Sequence, residues 1–237
     1  MAGWGEYAAA WAVFLLSHAV PVRPPVKPWI VRRLGAAGFG LVYSVLSVGV
    51  LVWLIGAADR APYLEVWPRA AWQNHVTLTA MALVCLMLAL GVGRPNPFSF
   101  GGWHNNWFDP ACPGLIGLVR HPVLAAILLW SLGHLAPNGD LAHVLMFGGF
   151  AGFAVLGMVM IDRRKQREMG LDTWHNRLPA RTLRGAANLG RWLAAGLVLL
   201  VLISLHPAVI GVPAIWYPSI GLISSHAYIR FVAPEGG

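Results

Sequence analysis

The sequence predicts an all-α, polytopic transmembrane helix bundle, and three observations support this prediction. The 237 residues are 57% hydrophobic and only 11% charged, whereas about 25% of the residues in a soluble domain are charged. The mean hydropathy is +0.63. Apolar runs of about 20 residues, the length needed to cross a bilayer, recur along the chain. The net charge of +8 does not indicate nucleic acid binding, because the basic residues lie between the apolar runs, as in the loops of a membrane protein.

Six apolar runs are predicted to span the membrane, at 4–21, 35–58, 72–93, 121–137, 141–161 and 191–207. A weaker seventh run at 212–232 contains Pro213 and Pro218, and either spans the bilayer or re-enters it. The sequence therefore predicts six or seven spans, in a transmembrane domain at 1–210 followed by a C-terminal extension at 211–237. No basic segment and no small-residue cleavage site accompany the first run, which favours a retained helix over a signal peptide.

The basic residues predict how the chain is oriented in the membrane. Most of the 17 Lys and Arg residues fall in alternate loops, namely Arg23, Lys27, Arg32 and Arg33 after the first run, Arg94 and Arg120 before the fourth, and the eight between Arg163 and Arg191. By the positive-inside rule these loops are cytoplasmic, so the N-terminus lies outside. The predicted location is the bacterial inner (cytoplasmic) membrane, with the lipid bilayer as the main partner.

The stretch from Gly117 to Asp140 is the most informative part of the sequence. Arg120 and His121 precede Pro122, which suits the first turn of a helix because its missing N–H is not needed there. The apolar run that follows ends in a second histidine, His134, and an Asn-Gly turn. Asp140 after that turn is a good N-cap for the fifth helix and could orient the ring of His143 three residues later.

Depth in the membrane sorts the histidines. His18 and His121 lie at similar depth near the cytoplasmic face, whereas His121 and His134 lie 13 residues apart, about 20 Å along a straight helix. His18 and His121 could therefore ligate one haem between two helices, and Arg23 and Arg120 could pair with its propionates. The arginines are equally explained by the topology of the chain alone.

Two other groups of residues have open interpretations. The outer histidines, His75, His134, His143 and His206, could form a second metal site, or they could bond to backbone at helix ends. The aromatic loop at 98–108 is either a belt at the membrane interface or a lid over a pocket. The basic segment 162–190 is predicted to be either a surface helix and loop against anionic lipid or a solvated determinant of topology. Gly148 and Gly152 have the spacing of a close helix–helix contact, and the same spacing would let a flat ligand lie against the backbone.

Several stretches together resemble the NnrU family of membrane proteins, although each piece is weak when taken alone. They are Leu16-Ser-His18 with Arg23-Pro24, Tyr43-Ser-Val-Leu-Ser, Gly117-Leu-Val-Arg-His-Pro122, Gly133-His134-Leu with Asn138-Gly-Asp140, Phe147-Gly148-Gly149, and Leu205-His206-Pro207 with Gly211-Val-Pro213. The segment 214–237 lies beyond the resemblance.

The resemblance implies a cofactor and a chemistry. The family includes proteins associated with denitrification and nitric oxide metabolism, and the zeta-carotene isomerase, a haem b protein that converts a cis double bond to trans. His18 and His121 match the proposed haem histidines of that isomerase, and His134 is a further candidate metal ligand. We therefore expect haem b, and either an isomerase-like enzyme acting on a hydrophobic small molecule or a protein that binds nitric oxide.

Two alternatives belong to different functional classes. Arg120-His121-Pro122 and the later run from Asp162 to Gly170 also resemble membrane methyltransferases of the isoprenylcysteine carboxyl methyltransferase type, which bind S-adenosylmethionine. The tyrosine expected soon after the Arg-His-Pro motif and a second acidic residue beside Glu168 are missing. The other alternative is a non-catalytic membrane subunit that helps to assemble or regulate a respiratory complex.

Overall fold

The computed structural model describes residues 2–186 and 188–215, and over these residues the chain is helical without β-strands. The seven α-helices are α1 (Ala2–Ala19), α2 (Val26–Asp59), α3 (Trp72–Gly91), α4 (Pro122–Leu135), α5 (Leu141–Met169), α6 (Leu171–Asn176) and α7 (Leu189–Ile210). Two short 3-10 turns, Asn105–Trp107 and Gly114–Gly117, lie in the long loop between α3 and α4. The predicted all-α fold class is confirmed.

Four helices, α2, α3, α5 and α7, are long and apolar enough to cross a membrane. The helix α4 is also apolar but shorter, and α1 corresponds to the predicted run at 4–21. The count of six or seven spans and the outside N-terminus stay predictions. Most of the proposed seventh run, 212–232, lies outside the described residues.

Two predicted boundaries were wrong, and both concern charged residues. The helix α2 begins at Val26, so Lys27, Arg32 and Arg33 are helical rather than part of a loop. The helix is interrupted at Gly35, whose φ of 72° and ψ of 170° suit glycine, and the predicted span at 35–58 starts at this break. The helix α5 continues past Ile161 to Met169, so the basic segment begins as an extension of the span and not as a separate surface helix.

The chain divides into two compact units, with boundaries after Trp67, Asn138 and Met146. The first unit contains α1 and α2 packed on each other, together with the first turns of α5. The second unit contains α3, which packs against α4 and α7, together with the rest of α5 and the α3–α4 loop. The predicted boundary at 210/211, between the transmembrane domain and its C-terminal extension, stays a prediction.

Small residues allow α3 and α4 to approach closely within the second unit. A Cβ on Gly133 would lie 2.5 Å from the Cβ of Ala80, and the hydroxyl of Thr77 donates to the carbonyl oxygen of Gly133 at 2.8 Å. In contrast, a Cβ on Gly148 or Gly152 would meet no atom of the described residues within 4 Å. Among the described residues, Gly148 and Gly152 therefore do not make the predicted close contact, whereas Gly133 makes one that the sequence did not predict.

Candidate functional site

The loop between α3 and α4 is fixed by a small aromatic core. Phe98 is completely buried and packs with Ile116 and Trp174, which are also buried. The rings of Phe98 and Trp174 pack in a T-shaped arrangement, with a centroid distance of 5.1 Å and an interplanar angle of 90°. Burying a side chain of this size stabilises a protein by about 3 kcal/mol. The core attaches the loop to the region of α6, since Trp174 belongs to that helix.

The buried amide side chain of Asn96 holds the same loop against the start of α4. Asn96 is 1% exposed. Its Nδ2 donates to the carbonyl oxygen of Arg120 at 2.9 Å, and its Oδ1 accepts from the backbone N–H of Phe98 at 3.0 Å. The backbone N–H of Asn96 donates in turn to the Oδ1 of Asn105 at 2.8 Å. The loop is therefore an ordered part of the second unit, with its backbone polar groups satisfied by side chains.

These contacts place four polar side chains together at the start of α4. The Nδ1 of His121 lies 3.0 Å from the Oγ of Ser99, and its Nε2 lies 2.9 Å from the Oδ1 of Asp162. The Nη1 of Arg120 donates to the Oδ2 of Asp162 at 2.6 Å. His121 is only 5% exposed, and Ser99 is 6% exposed. We call the group formed by Ser99, Arg120, His121 and Asp162 the His121 centre.

The partners of His121 determine where its proton lies. A carboxylate only accepts hydrogen bonds, so the Nε2 of His121 carries the proton that faces Asp162. Burial lowers the pKa of His121 below its ordinary value, although Asp162 opposes this shift, and the neutral ring is favoured at pH 7. The Nδ1 then carries a lone pair and accepts a hydrogen bond from the hydroxyl of Ser99. His121 lies just before α4 and outside its helical turns.

Arg120 completes the His121 centre. Its guanidinium lies over the ring of Trp174, 5.2 Å from the ring centroid, besides pairing with Asp162. Its Nε is buried and has no hydrogen-bond partner among the described residues. A buried, unpaired N–H of this kind costs about 1–3 kcal/mol, so it is a donor suited to a bound ligand or water.

Sequence reasoning found half of the His121 centre. Arg120 and His121 were predicted to bind a cofactor, whereas Ser99 was not singled out and Asp162 entered only as part of a charged run. A signal for Asp162 existed, because it is the first charged residue after an apolar run that ends on the same predicted membrane face as Arg120. No pattern in the sequence marks Ser99, which is one polar residue between Phe98 and Phe100.

The predicted haem ligands differ in how their rings are held. His18 is half-buried and its Nδ1 donates to the carbonyl oxygen of Phe14 at 2.8 Å. The Nδ1 of His134 likewise donates to the carbonyl oxygen of Trp130, which lies one helical turn earlier, at 2.9 Å. In both residues the proton lies on Nδ1, which leaves the lone pair on Nε2 in the neutral ring. This is the arrangement found in most metal-bound histidines, where the second nitrogen donates to a carbonyl or carboxylate.

His121 does not fit the role of an iron ligand in this conformation. Both of its nitrogens are directed at protein groups, so ligation would require the loss of the hydrogen bond to Ser99 or to Asp162. Since His18 and His121 belong to different units, their pairing on one haem stays a prediction. Arg23, the other predicted propionate partner, is exposed after the end of α1.

The outer histidines have separate partners. His134 and His206 bond to backbone carbonyl oxygens, as the simpler interpretation predicted. His143 instead lies between two carboxylates of the first unit, Asp140 at 2.8 Å and Asp59 at 3.2 Å. Within residues 2–186 and 188–215, no three His, Cys, Asp or Glu side chains form a group that could hold a metal ion.

Asp140 caps the fifth helix as predicted. Its Oδ1 accepts a hydrogen bond from the backbone N–H of His143 at 3.2 Å, and it also contacts the Nδ1 of the His143 ring at 2.9 Å. The same turn is tied to the segment that follows α2, because the N–H of Leu141 donates to the carbonyl oxygen of Leu64 at 2.8 Å. This polar cluster is explained by helix capping and by the ion pairs it contains.

The apolar helices and the buried polar centre at a helix start define the class of the protein, a multi-pass α-helical membrane protein. The family model described as NnrU protein matches residues 6–214. The chain therefore belongs to the NnrU family, as the sequence resemblance predicted. No match was found among curated proteins or among solved structures.

Proposed function

We propose that this chain is a b-type haem protein of the membrane, in which the Nε2 of His18 would bind the iron. The hydrogen bond from the Nδ1 of His18 to the carbonyl oxygen of Phe14 supports the proposal, because it leaves the lone pair on Nε2. The resemblance of the segment around His18 to the haem-binding isomerase supports it as well. Haem would supply a redox-active iron that binds nitric oxide or interacts with a polyene double bond.

The surroundings of His18 suit a flat, apolar cofactor. The ring of Phe14 packs against the imidazole at a centroid distance of 4.2 Å, and the ring of Tyr43 meets it at 5.9 Å. Leu15 and Leu16 beside it are exposed by 50% and 59%. Arg23, which follows the end of α1, offers an exposed guanidinium to a propionate.

The experiment is an optical spectrum of the protein purified in detergent after haem-replete expression, oxidised and then reduced with dithionite. A pyridine haemochrome assay gives the amount of haem per chain. We expect a b-type spectrum that is lost in His18→Ala and kept in His121→Ala, because both nitrogens of His121 are engaged by protein groups. His75→Ala is the matched control, since His75 is an exposed histidine of α3.

The outcomes separate the possible ligands. Retention of haem in His18→Ala together with its loss in His121→Ala would refute the proposal, and would mean that His121 exchanges a protein partner for iron. A colourless wild-type protein would refute haem binding altogether. Circular dichroism of each variant shows whether loss of haem accompanies loss of helical structure.

A second candidate function is supported by the contacts between Arg120, His121 and Asp162. The methyltransferases that the sequence also resembles bind S-adenosylmethionine with an Arg-His-Pro motif and a later charged segment. Asp162 begins the corresponding charged segment here and contacts Arg120 and His121 at 2.6 and 2.9 Å. The unpaired Nε of Arg120 is a donor for the carboxylate of that ligand. Calorimetric titration with S-adenosylmethionine tests this function, and binding should be lost in Arg120→Ala but kept in His18→Ala.

A further inference from the structure

The His121 centre contains a hydroxyl, an imidazole and a carboxylate joined in sequence by hydrogen bonds. Ser99, His121 and Asp162 come from a loop, a helix start and the fifth helix, and lie 3.0 and 2.9 Å apart in turn. A nucleophile bonded to a base, with the base oriented by a third group, is the signature of an activated hydroxyl. The haem proposal leaves all three residues without a chemical role.

The protons are arranged as this chemistry requires. Asp162 fixes the proton of His121 on Nε2, so the lone pair on Nδ1 faces the hydroxyl of Ser99. Arg120 shares the negative charge of Asp162, and burial keeps the ring of His121 neutral. In serine proteases the base is Nε2 and the carboxylate binds Nδ1. In this chain the two nitrogens have the opposite roles. The lone pair of Nδ1 faces the hydroxyl of Ser99, and Nε2 carries the proton that Asp162 accepts.

We propose that Ser99 is the nucleophile of an acyl-transfer site, with His121 as its general base and Asp162 as the residue that positions His121. The Oγ of Ser99 attacks the carbonyl carbon of an ester, and its proton passes to the Nδ1 of His121. The C–O bond to the alcohol then breaks as His121 returns that proton to the leaving oxygen. Water attacks the acyl-Ser99 carbonyl in the same way, releasing the acid and restoring the Ser99 hydroxyl.

The surroundings of Ser99 indicate an apolar ester as the class of substrate. Ser99 lies between Phe98, which is fully buried, and Phe100, which is 49% exposed. Trp103 and Trp107 of the same loop are exposed by 67% and 68%. In a membrane protein, exposed aromatic rings of this kind contact the interfacial region of the bilayer, where the ester groups of lipids lie.

The experiment uses an alkyl fluorophosphonate, which reacts covalently with activated serine hydroxyls and needs no knowledge of the substrate. The full chain in lipid nanodiscs is incubated with the probe, digested, and examined by mass spectrometry for the modified residue. We expect modification of Ser99 in the folded protein and none after denaturation, because the reactivity depends on His121. Absence of modification at Ser99 in the folded wild-type protein would overturn the proposal.

Variants separate the three roles. Ser99→Ala and His121→Gln should abolish labelling, whereas Ser131→Ala is the matched control, since Ser131 is a buried serine whose hydroxyl donates to the carbonyl oxygen of Ile127 at 2.7 Å. Asp162→Asn should slow labelling and change its dependence on pH, because the charge that orients His121 is removed. An unchanged pH profile in Asp162→Asn, with the helical content preserved, would refute the positioning role.

The outcome does not depend on haem. Labelling of Ser99 should be the same in His18→Ala, which the haem proposal expects to be colourless. A colourless wild-type protein that is still labelled at Ser99 would refute the haem proposal alone. A haem-containing protein without labelling would refute the acyl-transfer site alone. Hydrolysis of a short-chain p-nitrophenyl ester provides a second readout, and equal rates in the wild type and Ser99→Ala would also refute the site.

Discussion

The substitution Asp162→Ala is expected to lower the free energy of unfolding by about 3 kcal/mol. Asp162 accepts one hydrogen bond from Arg120 and one from His121, and each bond to a charged group contributes roughly 1.5–3 kcal/mol. The side chains of Asp162 and Arg120 are 26% and 35% exposed, so solvent screening places each contribution near the lower end of that range. Asp162→Asn keeps one acceptor and should lose about half as much free energy.

The measurement is equilibrium unfolding in mixed micelles, followed by circular dichroism. Glu168→Ala is the matched control because Glu168 lies on the same helix and also accepts hydrogen bonds from two side chains, Arg164 at 2.6 Å and Lys165 at 3.0 Å. Those ion pairs are largely exposed, so the control should lose less than about 1 kcal/mol. Equal losses for Asp162→Ala and Glu168→Ala would refute the reasoning that burial, and not the number of ion contacts, sets the energy.

Two further predictions concern packing and the loop. Gly133→Ala should cost about 1–3 kcal/mol in the same unfolding assay, because its new methyl group would lie 2.5 Å from that of Ala80, whereas Gly148→Ala should cost little; equal effects would contradict this account of the α3–α4 contact. Asn96→Ala should cost about 2 kcal/mol or more by leaving the carbonyl oxygen of Arg120 unpaired. Hydrogen exchange of the loop 94–108 should then rise, and unchanged exchange would show that the aromatic core alone orders it.

The helices could be predicted well because the bilayer sets their length. An apolar run that must cross about 30 Å of hydrocarbon is recognised without knowledge of its neighbours, and the runs at 72–93 and 191–207 correspond to α3 and α7. The predicted boundaries of α2 and α5 were wrong because basic residues at the ends of these helices are themselves helical. Charged residues at helix ends extend into water while their backbone stays helical, so a change in polarity does not mark the end of α5.

The candidate site could be predicted only in part because half of it depends on tertiary contacts. Arg120 and His121 are adjacent to a proline at a helix start, which is a local pattern. Ser99 reaches His121 only because Phe98 is buried in the aromatic core of the loop, and Asp162 reaches it only because α5 packs near α4. The ring orientation of His121, which distinguishes it from His18, depends on the same tertiary contacts and could not be foreseen.

The contacts that order the α3–α4 loop have a consequence for biosynthesis. Backbone bonds join this loop to a segment made much later, from the N–H of Gly114 to the carbonyl oxygen of Arg184 at 2.8 Å and from the N–H of Ala180 to that of Pro110 at 2.9 Å. When α4 leaves the ribosome, Asp162 and these partners have not yet been synthesised. The loop can therefore complete its contacts only after α5 and the segment that follows it have been made. A nascent chain that stops after α4 has the bonds of Asn96 within the loop but lacks those to Asp162, Ala180 and Arg184.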